Sequence, residues 1–374
     1  MATLFVCGDV MTGRGIDQVL PHPSDPRLYE PYVRSAREYV ALAEAENGPV
    51  PRPVGFDYVW GDALEILDRE RPDARIANLE TAVTTSDEPW PGKGIHYRMH
   101  PDNVPCLAAA RLDCCVLANN HVMDWGRSGL EQTLETLEHA GLRTAGAGRD
   151  ADAAAGPAAI PLPGGSRALV YAFGAADSGV PAEWAAAERR SGVDFLGELS
   201  RAAIEGLAGR VALERRPGDI VVASLHWGGN WGYAVPRAHR DFAHGLIDVA
   251  GVDLVHGHSS HHPMGIELHA GRPILYGCGD FLNDYEGISG YQEYQPDLCA
   301  MYFVALAPES GRLERLEVVP MRIRRLRVER APAAQARWLA ATIERESARL
   351  GTRARARGDG RLVIAGKEAE VRTC

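Results

Sequence analysis

The chain has 374 residues and a formal net charge of −10; it is 45% hydrophobic and 24% charged. This is a globular protein with room for one large domain or two ordinary ones. The acidic balance excludes a general nucleic-acid or anionic-membrane surface, which needs a broad basic field, but it suits a local acidic cluster that holds cations. No run reaches the roughly 20 apolar residues of a membrane helix. The N-terminal MATLFVCGDV lacks the basic and long apolar regions of a secretory signal. None of the seven cysteines forms a C-x-x-C pair. They read as buried thiols in a reducing compartment, and the expected location is cytoplasmic, without a membrane anchor.

Short apolar runs recur along the chain: TLFVCGD, ARIANLE, CCVLANN, ALVYAFG, DIVVASLH, VDLVHGH, PILYGCGDF, MYFVALA and LERLEVVPMRI. Runs of this length, rich in Val, Ile and Leu, suit strands buried on both faces. Residues 21–56 are rich in Pro, with aromatic and charged residues between, and read as an insertion, either a rim of the site or a surface excursion. SGLEQTLETLEHAGL predicts a helix with Leu130, Leu134 and Leu137 on one face, Ser128 as its cap and Gly141 at its end. GRDADAAAGPAA at 148–159 reads as a surface connection. VPRAHRDFAHGLIDVAG predicts a second helix, with Phe242, Leu246 and Val249 on one stripe. Strands alternating with helices indicate an α/β protein. The last two runs leave no room for a helix between them, so part of the sheet is expected to be antiparallel. Residues 1–325 read as one catalytic domain. Residues 326–374 read as an extension packed on it, a helix followed by a strand pair turning near Gly366.

The strand ends carry the chemistry. The runs end in Gly8-Asp9, Asn78-Leu79-Glu80, Asn119-Asn120-His121, His226, His256-Gly257-His258 and Gly279-Asp280, with His261 and His262 just after the penultimate one. In open α/β sheets the carboxyl ends of strands line the ligand crevice. Carboxylates, an amide oxygen and imidazoles make the donor mixture of Zn, Mn or Fe sites, whereas structural zinc favours thiolates. The set is large enough for two ions.

The segments GDVMTGRG, ANLE, LANNHVMDWG, LHWGGNW, VDLVHGHSSHHP and LYGCGDFL span residues 8–282. In order and spacing they resemble the CapA (poly-γ-glutamate capsule-synthesis) family of the calcineurin-like metallophosphoesterase superfamily. The resemblance implies a four-layer αββα sandwich with mixed sheets and a site for two divalent metal ions (Mn, Fe or Zn). It implies that Asp9 binds the first ion, that Glu80 bridges, and that Asn120 and His226 bind the second. His258 and His261 then provide one ligand to each ion, and His121 reaches the substrate as general acid. Where the superfamily has Asp-x-His, this chain has Asp9-Val10-Met11, one nitrogen donor fewer. His256 and His262 read as structural or supporting.

Several residues have two readings. Arg14 either clamps a carboxylate or phosphate of the substrate or forms a salt bridge to a nearby acid. Asp124 either orients the His121 imidazole or caps the following helix. Trp227, Asn230 and Trp231 either line the site mouth and bind substrate or pack. Asp280 and Asn283 are expected to support other groups more than to bind metal. The stretch of His96, Tyr97 and Arg98 approaches the rim. His100 and the helix histidines His139, His239 and His244 are expected to be ordinary ones, the last three exposed. The functional expectation is a metal-dependent hydrolase acting on a phosphoester or a γ-glutamyl-type amide of a small-molecule or peptide-like substrate, with no nucleic-acid partner. The alternative is a non-catalytic accessory protein of capsule or poly-γ-glutamate synthesis.

Overall fold

The computed structural model describes residues 1–365. Two mixed sheets organise them. One, of ten strands among the described residues, runs in the order Arg355–Ala356, Leu362–Ala365, Arg312–Ile323, Leu298–Ala307, Ala2–Val10, Ala74–Leu79, Cys114–Val116 and Arg143–Ala145. Off this path, Asp280–Leu282 pairs with Ala2–Val10 in parallel, and Val328–Arg330 pairs with Arg312–Ile323. The strand Leu298–Ala307 lies antiparallel to both of its neighbours, as expected for runs without an intervening helix. The other sheet has seven strands among the described residues. Its centre, Arg167–Ala175, Ile220–His226 and Leu254–His258, is wholly parallel.

Alternation along Arg167–Ala175 shows how the second sheet is packed. Ala168, Val170 and Ala172 join Leu4, Val6 and Ile76 of the first sheet in one core. Leu169, Tyr171 and Phe173 face the other way, onto Leu207, Phe242 and Leu246 of helices Arg201–Glu214 and Arg237–Asp248. Both faces of the sheet are therefore buried, which is why its strands read as continuous apolar runs.

Helix details differ from expectation in three places. The helix Gly126–His139 buries Leu130, Leu134 and Leu137, but it starts after Trp125 without a side-chain cap. Ser128 lies inside the first turn and contacts Ser86 instead. Helix Arg237–Asp248 buries Phe242, Ala243, Leu246 and Ile247, while Val249 falls beyond its end and is exposed. His239 on that helix is buried. Helix Ala36–Asn47, inside the 21–56 stretch, starts at a capping box made by Ser35 and Glu38. Helix Ala333–Arg349 packs Leu339, Ala340 and Ile343 into the main core. Leu362–Ala365 pairs with Arg355–Ala356 and Arg312–Ile323; the turn expected near Gly366 lies outside the described residues, as does Cys374. The other six cysteines are buried and form no disulfide. No helix among the described residues is long and apolar enough to cross a membrane.

Candidate metal centre

Parallel registry brings the strand ends together. Asp9 is paired with Asn78 on one side and with Asp280 on the other. In the second sheet His226 is paired with His258. Gly8 permits the close approach of the Asp280 strand, since a Cβ there would collide with the Gly279 carbonyl. Asp9, Glu80, His226, His258 and Asp280 are all buried.

The donors face one another. His226 Nδ1 and His258 Nδ1 are 2.9 Å apart. His258 Nδ1 is 3.7 Å from Asp9 Oδ1, and His226 Nδ1 is 3.9 Å from Glu80 Oε2. Asn78 Nδ2 donates to Asp9 Oδ1 (2.7 Å) and Glu80 Oε2 (3.1 Å), tying two carboxylates together. Two groups of donor atoms lie within 4.8 Å of one another: Asp9, His226 and His258, and Asp9, His261 and Asp280. Ser224 Oγ lies between His258 Nε2 (2.9 Å) and His256 Nδ1 (3.0 Å). His256 Nε2 donates to the Cys7 carbonyl, and His262 Nε2 accepts from Gly232 N–H. Of the four clustered histidines, His258 and His261 thus reach the carboxylates, while His256 and His262 are engaged elsewhere.

Two observations fit this pocket to cations. His226 Nε2 and Asn120 Oδ1 are buried without a hydrogen-bond partner, a costly state for polar atoms. Burial and then Asp280 raise the Asp9 carboxyl to about 7. Burial, followed by Asp9 and Asp280, raises Glu80 well above the carboxylate range. Carboxylates crowded in this way are relieved either by taking up a proton or by a cation between them. Burial also holds His226 and His258 well below the usual imidazole range, hence neutral, as metal ligands must be.

Beside the donors stands His121. Its Nδ1 is 2.7 Å from Asp124 Oδ2. Asp124 therefore orients the imidazole and does not cap the helix. Nδ1 is also 3.0 Å from Lys93 Nζ; the shorter contact, to a carboxylate that only accepts, assigns the proton to Nδ1, and Nε2 faces the cavity, 3.8 Å from Glu80 Oε1. Lys93 Nζ packs against the same pair, 2.5 Å from Asp124 Oδ1 and 2.5 Å from the Asn120 carbonyl. Burial lowers the His121 pKa to about 4, with Asp124 opposing and Lys93 adding to the shift. The cavity, about 210 Å³, is lined by Glu80, Lys93, Asn120, His121, His226, Asn230 and His261, among others.

The sequence profile described as "Bacterial capsule synthesis protein PGA_cap" matches residues 3–285. The chain belongs to this family. It is similar to a Mycobacterium tuberculosis protein named "Probable polyglutamine synthesis accessory protein", with 46% identity over 97% of this chain and 96% of that one. It is also similar to the "PGA biosynthesis protein CapA" of Bacillus subtilis, 26% identical over 74% of this chain and 62% of the relative. The "Capsule biosynthesis protein CapA" of Bacillus anthracis is 24% identical over 62% of this chain and 54% of its own length.

In this PGA_cap protein the remaining candidates divide. Asn230 lines the cavity. Trp231 does not line it but stacks on Tyr291 at 4.0 Å and packs near His261, which does. Trp227 is not at the mouth. It is buried between His239 and Tyr276 and donates Nε1–H to the Tyr276 carbonyl. Arg14 is not open to substrate either. Its guanidinium is buried, donating to Glu30 and to both oxygens of Asp284 and lying over Tyr39 and Tyr97. His96 and Tyr97 are buried, with the Tyr97 ring edge-on to His121 and its N–H donating to Asp124. Asn283 Nδ2 donates to Asp280 Oδ2 at 2.7 Å. Lys93 and the bridging role of Asn78 escaped the sequence reading. The only signal for Lys93 was its place in PGKGIHYRMHP, just before a stretch expected near the rim.

Proposed function

We propose that this PGA_cap protein is a metal-dependent hydrolase. Its fold is read as a four-layer αββα sandwich over residues 1–325, with 326–374 as an extension, and its setting as cytoplasmic. Asp9, Glu80, Asn120, His226, His258 and His261 would hold two divalent ions, of Mn, Fe or Zn. The observation that carries this reading is the pair of orphaned donors, His226 Nε2 and Asn120 Oδ1, beside crowded buried carboxylates. When bound, such ions polarise a carbonyl or phosphoryl oxygen and bring the pKa of water toward about 7.

The chain's own residues supply the rest. Asp124 holds the Nδ1 proton of His121, so Nε2 faces the cavity unprotonated; it would take up the proton released by the attacking water, with Asp124 stabilising the imidazolium, and pass it to the leaving group as general acid. Lys93 holds Asp124 and the Asn120 backbone in place. Asn230 and Trp231 flank the entering substrate. The bond cleaved is a phosphoester or a γ-glutamyl-type amide, and the word "polyglutamine" in the Mycobacterium tuberculosis relative's name favours an amide-linked substrate.

The word "accessory" in the mycobacterial name favours a second reading, a metal-binding protein of a synthesis complex without turnover. Assays of purified protein with Mn²⁺ or Zn²⁺ against phosphoester and γ-glutamyl panels separate the two. Metal-dependent turnover abolished by His121→Ala supports the hydrolase. Bound metal with no turnover on either panel supports the accessory protein.

A further inference from the structure

We propose that Asp280 binds a cation directly, together with Asp9 and His261, and so supplies the donor that Met11 does not. This rests on the metal-site reading above and revises its ligand set. Asp280 is the parallel partner of Asp9, on a strand held close by the bond from Asp9 N–H to the Gly279 carbonyl. One donor atom from each of Asp9, His261 and Asp280 lies within 4.8 Å of the others, and all three side chains are buried. His261 Nδ1 and Asp280 Oδ1 are 2.8 Å apart, a hydrogen-bond distance; tetrahedral ligands about 2.1 Å from zinc stand about 3.4 Å apart, so a small opening of this pair would let both donors share one ion.

Charge points the same way. Among the described residues the ion pairs of Asp9, Glu80 and Asp280 are with histidines only, without lysine or arginine. Asn283 restrains the second oxygen of Asp280, in the way ligating carboxylates are held by their own hydrogen bonds. Met11 is fully buried, and its thioether is a poor donor for hard or borderline ions. The unpartnered His226 Nε2 and Asn120 Oδ1 indicate independently that this cavity awaits a ligand. The competing geometry keeps Asp280 as a hydrogen-bond acceptor that only aims His261.

The test is a zinc-loaded crystal structure of the full chain, with anomalous data at the zinc edge, beside zinc titrations of wild type and Asp280→Asn. The expected structure has an Asp280 oxygen about 2.0–2.2 Å from an ion. The titration should give two ions per wild-type chain and one per Asp280→Asn chain, with the variant's far-ultraviolet circular dichroism unchanged. Ions bound with Asp280 still on His261 Nδ1, and two ions in Asp280→Asn at affinity lowered about 10–100-fold, would overturn the assignment while leaving the metal-site reading intact. No ion in either protein would overturn both.

Discussion

His121 and Asp124, three residues apart, form a buried pair in which Nδ1 donates to Oδ2 over 2.7 Å. This fixes which nitrogen meets the substrate. His121→Ala should keep its metal and lose about 10²–10⁴-fold in turnover, the usual contribution of general acid–base catalysis. Asp124→Asn should lose activity in the same direction, by less. Metal analysis and steady-state kinetics on both variants check this. Metal lost together with activity in His121→Ala would make His121 a ligand instead.

Arg14 is expected to act on stability. Removing it strands Glu30 and Asp284 as buried carboxylates, and breaking a buried pair from one side costs about 3–5 kcal/mol. Arg14→Lys should recover only part of the loss, because an ammonium cannot reproduce the forked contact with Asp284. Urea denaturation measures both. An Arg14→Ala protein of wild-type stability that binds substrate poorly would restore the substrate-clamp reading.

The two tryptophans of LHWGGNW should separate cleanly. Trp227→Ala empties a buried slot between His239 and Tyr276, and the expected loss is about 3–5 kcal/mol. Trp231, packed near the cavity-lining His261, should raise KM on truncation with kcat retained, the pattern of uniform binding lost. A KM effect from Trp227→Ala without destabilisation would contradict the packing assignment.

Glu267 should make stability depend on pH. Burial raises its pKa, but hydrogen bonds from Arg240 and Tyr276, with His244 nearby, hold it below the ordinary glutamate value. A depressed folded-state pKa contributes stability that is fully present above the unfolded value, about 4.3, and is lost as pH falls through the folded value. Glu267→Gln should therefore melt below wild type at pH 7, by about 1–3 kcal/mol, with the gap closing under about pH 4. Melting curves across this range test it. A gap that widens on acidification would reverse the sign.

Strand ends were legible because period and position coincide: apolar runs buried on both faces, each closed by a polar donor, place Asp9, Glu80, Asn120, His226 and His258 at one edge of the sheets. The partners of side chains from distant segments were not. Arg14 is paired with residues 16 and 270 positions away, and no local pattern announces that. Trp227 could not be told from Trp231 because which one turns inward depends on helix Arg237–Asp248 supplying His239. Lys93 sits in a Pro-Gly loop with no periodicity to read. Asp124 looked like a helix cap since Asp favours such positions, yet the helix begins after Trp125, and the carboxylate is taken by His121, Lys93 and Tyr97.

Whether this cavity holds transition-metal cations is decided by metal content. Protein purified without chelator should carry about one to two ions of Mn, Fe or Zn per chain by elemental analysis, as the donor count requires. His226→Ala should carry measurably fewer. Less than about 0.3 ion per chain, with no gain after incubation with Mn²⁺, Fe²⁺ or Zn²⁺, would contradict a metal centre here.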